Sequence, residues 1–284
     1  GAVPLLHARP RVHRPPPGLG RSAVEVRAAD EPEARGCRAS VCALTVHHGD
    51  MSGLLEVVVL TADDARRAEE GGADRLMMVG ELTGQGRCPE PAAFRRVRDA
   101  CTIPIRPLLR LRDGYRSDGG EVTRLRGLAS NYLSDGAEGF VLGFLDGYSQ
   151  VDTEIVAALT DDGYWPWTFD HAIDRCLDMD EAWARLRGMR GLDQILTAGS
   201  SRGLEIGLDD LVLRARADPE DARLILAGGG LVPEHVAWLS RAGVRAFQVG
   251  PQVRTGGSFA ADVDPSLVRG WRILLDSEHV RRAS

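Results

Sequence analysis

From residue 54 onward, short apolar runs alternate with longer amphipathic stretches along the chain. Each run has the length of a strand and is apolar at nearly every position, which is typical of a parallel sheet covered on both faces. The stretches between the runs have a helical pattern, as at Thr61–Glu70, Pro91–Ala100 and Glu181–Met189. The predicted strands are Leu54–Val59, Arg75–Gly80, Ile103–Arg110, Phe140–Leu145, Trp165–Asp170, Gln194–Gly199, Leu224–Gly229 and Ala246–Gly250.

Eight strand–helix units in about 230 residues predict a closed α/β fold, the (β/α)8 TIM barrel, as one domain over residues 51–284. The residues at the expected helix ends agree with this interpretation. Thr61 precedes two acids and is a good helix N-cap, Gly71 and Gly72 suit a helix end, and Pro265 suits a helix start.

The first fifty residues differ from the rest of the chain. They are rich in proline, with a run at 15–17, and show no sustained strand or helix period. We predict a disordered N-terminal extension over residues 1–50. Because Met51 opens the periodic sequence, the alternative is that this segment is absent from the native protein.

Composition narrows the possible chemistry. All 35 basic side chains are arginines, so Schiff-base and P-loop lysine chemistry is excluded. The net charge of −6 argues against a nucleic-acid or anionic-membrane partner. The five cysteines form no CxxC pair, which favours a reduced, cytoplasmic protein. A homodimer is a further expectation for a barrel of this type.

In a TIM barrel, functional groups gather at the C-terminal ends of the strands. Candidate acid–base residues there are Glu56, which lies in an apolar run, and the cluster Asp170, His171 and Asp174 after the fifth strand. Two structural alternatives stay open. Glu56 could instead pair with a structural arginine such as Arg75, and Asp174 could cap a helix.

A second group of residues is suited to holding an anion, because arginines and glycine-rich turns offer N–H donors to carboxylates and phosphates. Strand alternation predicts that Arg110 and Arg112 share a face, although both could serve only in salt bridges. The candidates for a small anionic ligand are Arg75, Arg110, Arg112, Thr197, Gly199, Gly228, Gly229 and Gly230.

Taken in order, several segments resemble the CutC family, named for copper homeostasis. They are Leu54–Val57, Gly71–Arg75, Ile103-Pro104 with Arg110–Arg112, Gly136–Gly139, Thr168-Phe169 with Ala172 and Asp174, Ile195–Gly199, and Gly228–Gly230. The resemblance runs from residue 54 to about residue 275 and implies a (β/α)8 barrel, a cytoplasmic location and copper binding.

The chain departs from the family pattern at the soft-metal positions. The cysteines that the family usually carries in its strand-one and strand-two motifs are replaced by Val58 and Val79. Copper(I) prefers sulfur ligands, which leaves Met77, Cys176 and His171 as weak metal candidates. Three hypotheses follow: a copper-homeostasis protein that binds copper, an enzyme acting on a small carboxylated or phosphorylated substrate, and a barrel that serves only as a scaffold. The resemblance favours the first as the function, whereas the residues suited to an anion favour the second as the mechanism.

Overall fold

Parallel strands form a ring in the computed structural model, which describes residues 53–82, 84–160, 163 and 165–283. The strands are β1 (Leu54–Val59), β2 (Arg75–Met78), β3 (Ile105–Pro107), β4 (Phe140–Leu142), β5 (Trp167–Phe169), β6 (Leu192–Thr197), β7 (Ile225–Ala227) and β8 (Ala246–Val249).

Helices follow the strands and cover the outside of the ring. They are α1 (Ala62–Gly71), α2 (Pro91–Ala100), α3 (Gly119–Ser134), α4 (Thr153–Thr160), α5 (Met179–Leu186), α6 (Leu204–Ala217), α7 (Pro219–Leu224), α8 (Pro233–Ala242) and α9 (Pro265–Ala283). A short 3₁₀ turn at Ile173–Arg175 follows β5. No helix in the described part of the chain is long and apolar enough to cross a membrane.

Each strand pairs in parallel with its neighbours in the order β3-β2-β1-β8-β7-β6-β5-β4. The ring closes between β3 and β4, where Leu108 bridges Val141 and the Leu109 N–H donates to the Val141 carbonyl at 2.8 Å. The predicted (β/α)8 barrel is therefore confirmed. The predicted extension over residues 1–50 lies outside the described residues.

The helix ends follow from local chemistry. The Thr61 hydroxyl accepts the Asp64 N–H at 3.1 Å and caps the start of α1, and Gly72, with φ of 95°, caps its end. Pro265 begins α9. These ends agree with the sequence prediction. Several strands are shorter than predicted, because their last apolar residues continue into the loops at the barrel mouth instead of pairing with a neighbour.

The barrel interior contains an apolar layer at mid-height. Inward-facing side chains from several strands meet there, and strand alternation returns to the same inner face two positions before and after each of them. On β3 and its extension, for example, Leu108 lies between Arg106 and Arg110. The layer includes Val58, Met77, Leu108, Val141, Leu196 and Leu226, all buried. It separates the polar groups deeper in the barrel from those at the mouth.

Candidate functional site

Glu56 lies below the apolar layer and is fully buried. Its Oε2 accepts the Arg75 Nε–H at 2.5 Å, and its Oε1 accepts from the Gln248 side chain at 2.8 Å. Arg75 also donates to Gln194. The structure therefore places two predicted site residues, Glu56 and Arg75, together in the lower barrel. This arrangement matches the structural alternative, in which the acid pairs with an arginine.

Arg110 and Asp170 form a buried ion pair at the mouth, with 2.5 Å between the Arg110 Nη2 and the Asp170 Oδ2. The same guanidinium donates to the carbonyls of Gln85 and Gly143 at 2.8 and 3.2 Å. The Tyr115 ring covers it, with 4.8 Å from the Arg110 Cζ to the ring centroid. Burial, followed by the negative charge of Asp170, raises the pKa of Tyr115. Arg110 thus binds protein groups on several sides.

Arg112 points away from Arg110, so the two arginines do not share a face as expected. It is half exposed and pairs with Asp118 and Glu121 at the start of α3, at 3.2 and 2.9 Å. Because the paired part of β3 ends at Pro107, strand alternation no longer applies five residues later. The neighbouring Gln85 and Tyr115 were missed from the sequence, since they lie on loops without a periodic pattern.

His171 and Asp174 form a dyad after β5, with 2.8 Å between the His171 Nδ1 and the Asp174 Oδ2. The 3₁₀ turn that follows β5 brings the two side chains together, since their spacing of three residues completes one turn. Asp174 is buried, whereas the His171 side chain is 32% exposed. No described residue forms a hydrogen bond with the His171 Nε2. That nitrogen therefore faces the space at the barrel mouth.

The end of β6 holds the Asp174 carboxylate in place. The Thr197 hydroxyl donates to Oδ1 at 2.6 Å, and the Ala198 N–H donates to Oδ2 at 2.9 Å. The predicted anion residue Thr197 thus binds a carboxylate of the protein itself. The Gly199 N–H donates to the Thr197 hydroxyl oxygen at 2.9 Å.

The glycine turn after β7 lies directly beside the dyad. A Cβ atom at Gly229 would lie 2.8 Å from the His171 Cε1 and 3.3 Å from its Nε2. Gly229 and Gly230 have φ of 75° and 97°, a region that only glycine adopts readily. The Gly228 N–H donates to the Thr197 carbonyl, whereas the N–H groups of Gly229 and Gly230 contact no acceptor among the described residues. Gly229 and Gly230 are both exposed, and Gly229 lies against the imidazole.

The opposite side of the mouth is closed by apolar side chains. Phe259, from the segment between β8 and α9, packs with Leu60 and Leu82 against the apolar layer. Its ring would lie 2.7 Å from a Cβ at Gly250. The His171–Asp174 dyad and the glycine turn lie away from this apolar cover, at the ends of β5, β6 and β7.

The predicted metal candidates do not come together. Met77 lies in the apolar layer, with its sulfur 3.2 Å from the Gln248 amide nitrogen. Burial raises the pKa of Cys176 to about 12, which disfavours the thiolate while no metal is bound. Val58 and Val79 are buried in the same apolar cluster as Met77. Within the described ranges, no three His, Cys, Asp or Glu side chains form a metal-binding group, and these donors do not fit copper.

The family model and the similar proteins that match this chain all belong to one family. Residues 53–251 match the family model described as "CutC family". The chain is 32% identical to the family protein CutC of Klebsiella pneumoniae (strain 342) over 203 residues, covering 68% of this chain and 77% of the relative. It is 29% identical to that of Yersinia pseudotuberculosis serotype I (strain IP32953) over 193 residues, covering 67% and 76%.

A solved structure has the same fold. It is CutC from Streptococcus agalactiae, named for copper homeostasis, and it aligns with a TM-score of 0.63 at 20% sequence identity. The alignment covers 70% of this chain and 98% of that chain. At this identity the likeness supports the barrel fold alone.

Proposed function

This chain belongs to the CutC family, and we propose that it is an enzyme that moves a proton on a small anionic substrate at the barrel mouth. The observation that carries the proposal is the His171–Asp174 dyad, with 2.8 Å between the His171 Nδ1 and the carboxylate. The C-terminal end of the strands is the side where TIM-barrel enzymes carry their active sites.

The dyad has the parts that a general acid–base catalyst needs. An ionised Asp174 accepts the Nδ1–H, which leaves the lone pair of Nε2 free to take a proton from a substrate. The same carboxylate then stabilises the imidazolium that forms. With lysine absent and arginine unable to exchange protons near neutral pH, His171 is the mouth residue best suited to this step.

An anionic group on the substrate has suitable donors beside the imidazole. Gly229 and Gly230 are exposed, and their N–H groups have no acceptor among the described residues. Successive backbone N–H groups in a turn can form an anion-binding concavity. Arg110 is already engaged with Asp170 and two carbonyls, so we assign it to holding the mouth in shape. The small anionic ligand predicted from the sequence is thus proposed to bind at the glycine turn.

Two measurements test this proposal. Inorganic phosphate, used as the probe, should shift the Gly229 and Gly230 amide signals in ¹⁵N NMR spectra. A panel of phosphate esters and carboxylic acids, followed by ³¹P and ¹³C NMR, should then show a conversion that His171→Gln abolishes. The control is His279→Gln, since His279 lies beside Gly53 at the other end of the barrel. Unshifted glycine amides, or equal conversion by both variants, would contradict the proposal.

Copper binding, implied by the family resemblance, is tested separately. The scattered sulfur atoms of Met77 and Cys176 lead us to expect no Cu(I) uptake at micromolar affinity in a competition titration with a chelator. Tight uptake lost in Cys176→Ser would restore the copper hypothesis. We also propose a cytoplasmic location, because the three described cysteines (Cys88, Cys101 and Cys176) are free thiols, which suits a reducing compartment.

A further inference from the structure

We infer that Thr197 is a positioning residue that fixes the tautomer of His171. The inference rests on the proposed function, because it assigns a role within the same dyad. Thr197 is the last residue of β6 and is fully buried. Its carbonyl accepts the Gly228 N–H at 3.1 Å, which ties it to the glycine turn after β7.

The direction of the Thr197 hydroxyl bond follows from its two partners. The Gly199 N–H donates to Oγ1 at 2.9 Å and therefore occupies one of its lone pairs. The other partner, the Asp174 Oδ1 at 2.6 Å, can only accept when the carboxylate is ionised. The hydroxyl proton must then point at Asp174. Because this proton is already used, Thr197 has no donor left for a substrate anion, and its role is indirect.

The consequence for the dyad is geometric. Thr197 fixes one oxygen of the Asp174 carboxylate, and the Ala198 N–H fixes the other at 2.9 Å. A carboxylate held at both oxygens cannot rotate away from His171. Its Oδ2 then faces Nδ1 at 2.8 Å and keeps the ring proton on that nitrogen. Nε2 is left deprotonated and directed at the mouth, as proton abstraction requires.

The test compares three residues at one position. Thr197→Val removes the hydroxyl and keeps the branched shape, while Thr197→Ser restores the hydroxyl. The readout is the ¹⁵N spectrum of the His171 ring, assigned with His171→Gln and recorded without substrate. We expect the ratio of the Nδ1–H to the Nε2–H tautomer to fall about tenfold in Thr197→Val, as for the loss of one hydrogen bond to a charged group, and to return in Thr197→Ser.

The outcomes separate this inference from the proposed function. An unchanged tautomer ratio in a folded Thr197→Val protein overturns the inference, whatever the enzyme does. If valine prevents folding, Thr197→Ala removes the same hydroxyl with a smaller side chain and is judged by the same ratio. Since the spectrum needs no substrate, an absence of turnover counts only against the proposed function. If Thr197→Ser did not restore the native tautomer ratio, the inference would also be overturned, because the hydroxyl would then not be the group that sets this ratio.

Discussion

The Asp64 carboxylate on α1 and the Arg254 guanidinium after β8 form a two-pronged ion pair across 190 residues of sequence, at 3.1 and 2.7 Å. Both side chains are buried, and the two carboxylate oxygens also accept the N–H groups of Leu60 and Val263 at 3.0 Å. Because Arg254 and Val263 lie on either side of Phe259, their bonds to Asp64 hold both ends of this segment against α1.

Breaking this pair should strongly destabilise the fold. We expect Arg254→Met to lower the free energy of unfolding by about 3–5 kcal/mol, because the Asp64 charge would stay buried without its partner. Urea denaturation measures the change. Arg66→Ala is the control, since the Arg66–Asp63 pair is exposed and should contribute below about 1 kcal/mol. Equal losses in the two variants would contradict the prediction.

Glu56 should behave as a structural residue. Its carboxylate is fully buried against Arg75, so Glu56→Gln should lower the free energy of unfolding by about 3–5 kcal/mol. Glu81→Gln offers the matched comparison, because the Arg87–Glu81 pair is exposed and its loss should change stability by less than about 1 kcal/mol. Thermal and urea unfolding of both variants check this. If Glu56→Gln were as stable as the native chain, the buried charge pair would not be holding the lower barrel.

A side chain at Gly229 should be unfavourable for two reasons, the positive φ of the backbone and the contact with the His171 ring. Gly229→Ala places a methyl group at φ of 75° and 2.8 Å from the His171 ring. Gly257→Ala is the matched control, since Gly257 has φ of 66° with open space around the added methyl. Both should lose about 1–2 kcal/mol of stability through backbone strain. Only Gly229→Ala should shift the His171 ring signals, and a similar shift in the control would contradict this.

Asp74 gives the stability a defined pH dependence. Burial raises its pKa, although the Leu55 N–H and Arg272 lower it in part. A raised pKa in the folded state means that the native chain binds more protons, so its stability falls as pH rises from 3.8, the ordinary pKa of Asp, through the folded value. The free energy of unfolding of the native chain minus that of Asp74→Asn should therefore decrease over this pH window. Urea titrations at several pH values measure it, and a difference that grows with pH would be the opposite result.

The barrel could be predicted from the sequence because its signals are local and repeated. Apolar runs, the Thr61 cap and Pro265 each act within a few residues, and eight repeats leave few alternatives to a closed ring. The limits of the strands were less accurate. Residues such as Leu109 and Arg110 look like strand residues in composition, but they lie beyond the paired part of β3.

The site was predicted in composition but not in arrangement. The sequence identified Asp170, His171 and Asp174 as a cluster, yet only the 3₁₀ turn shows that Asp174 pairs with His171 while Asp170 binds Arg110. Which partner each acid binds depends on the conformation of the loop, and a loop has no periodic sequence pattern from which to predict it. The Phe259 segment was missed for the same reason, since its position is set by the distant ion pair with Asp64.

The apolar layer around Val58 and Leu108 divides the barrel into two polar compartments, and among the described residues no side-chain hydrogen bond joins the polar groups of one to those of the other. Energies of groups that share no partner add independently. Substitutions at the mouth can therefore redesign the chemistry without disturbing the ion pairs that hold the lower barrel, and the lower barrel can diverge without altering the dyad. The layer thus allows the chemistry at the mouth and the stability of the lower barrel to evolve separately.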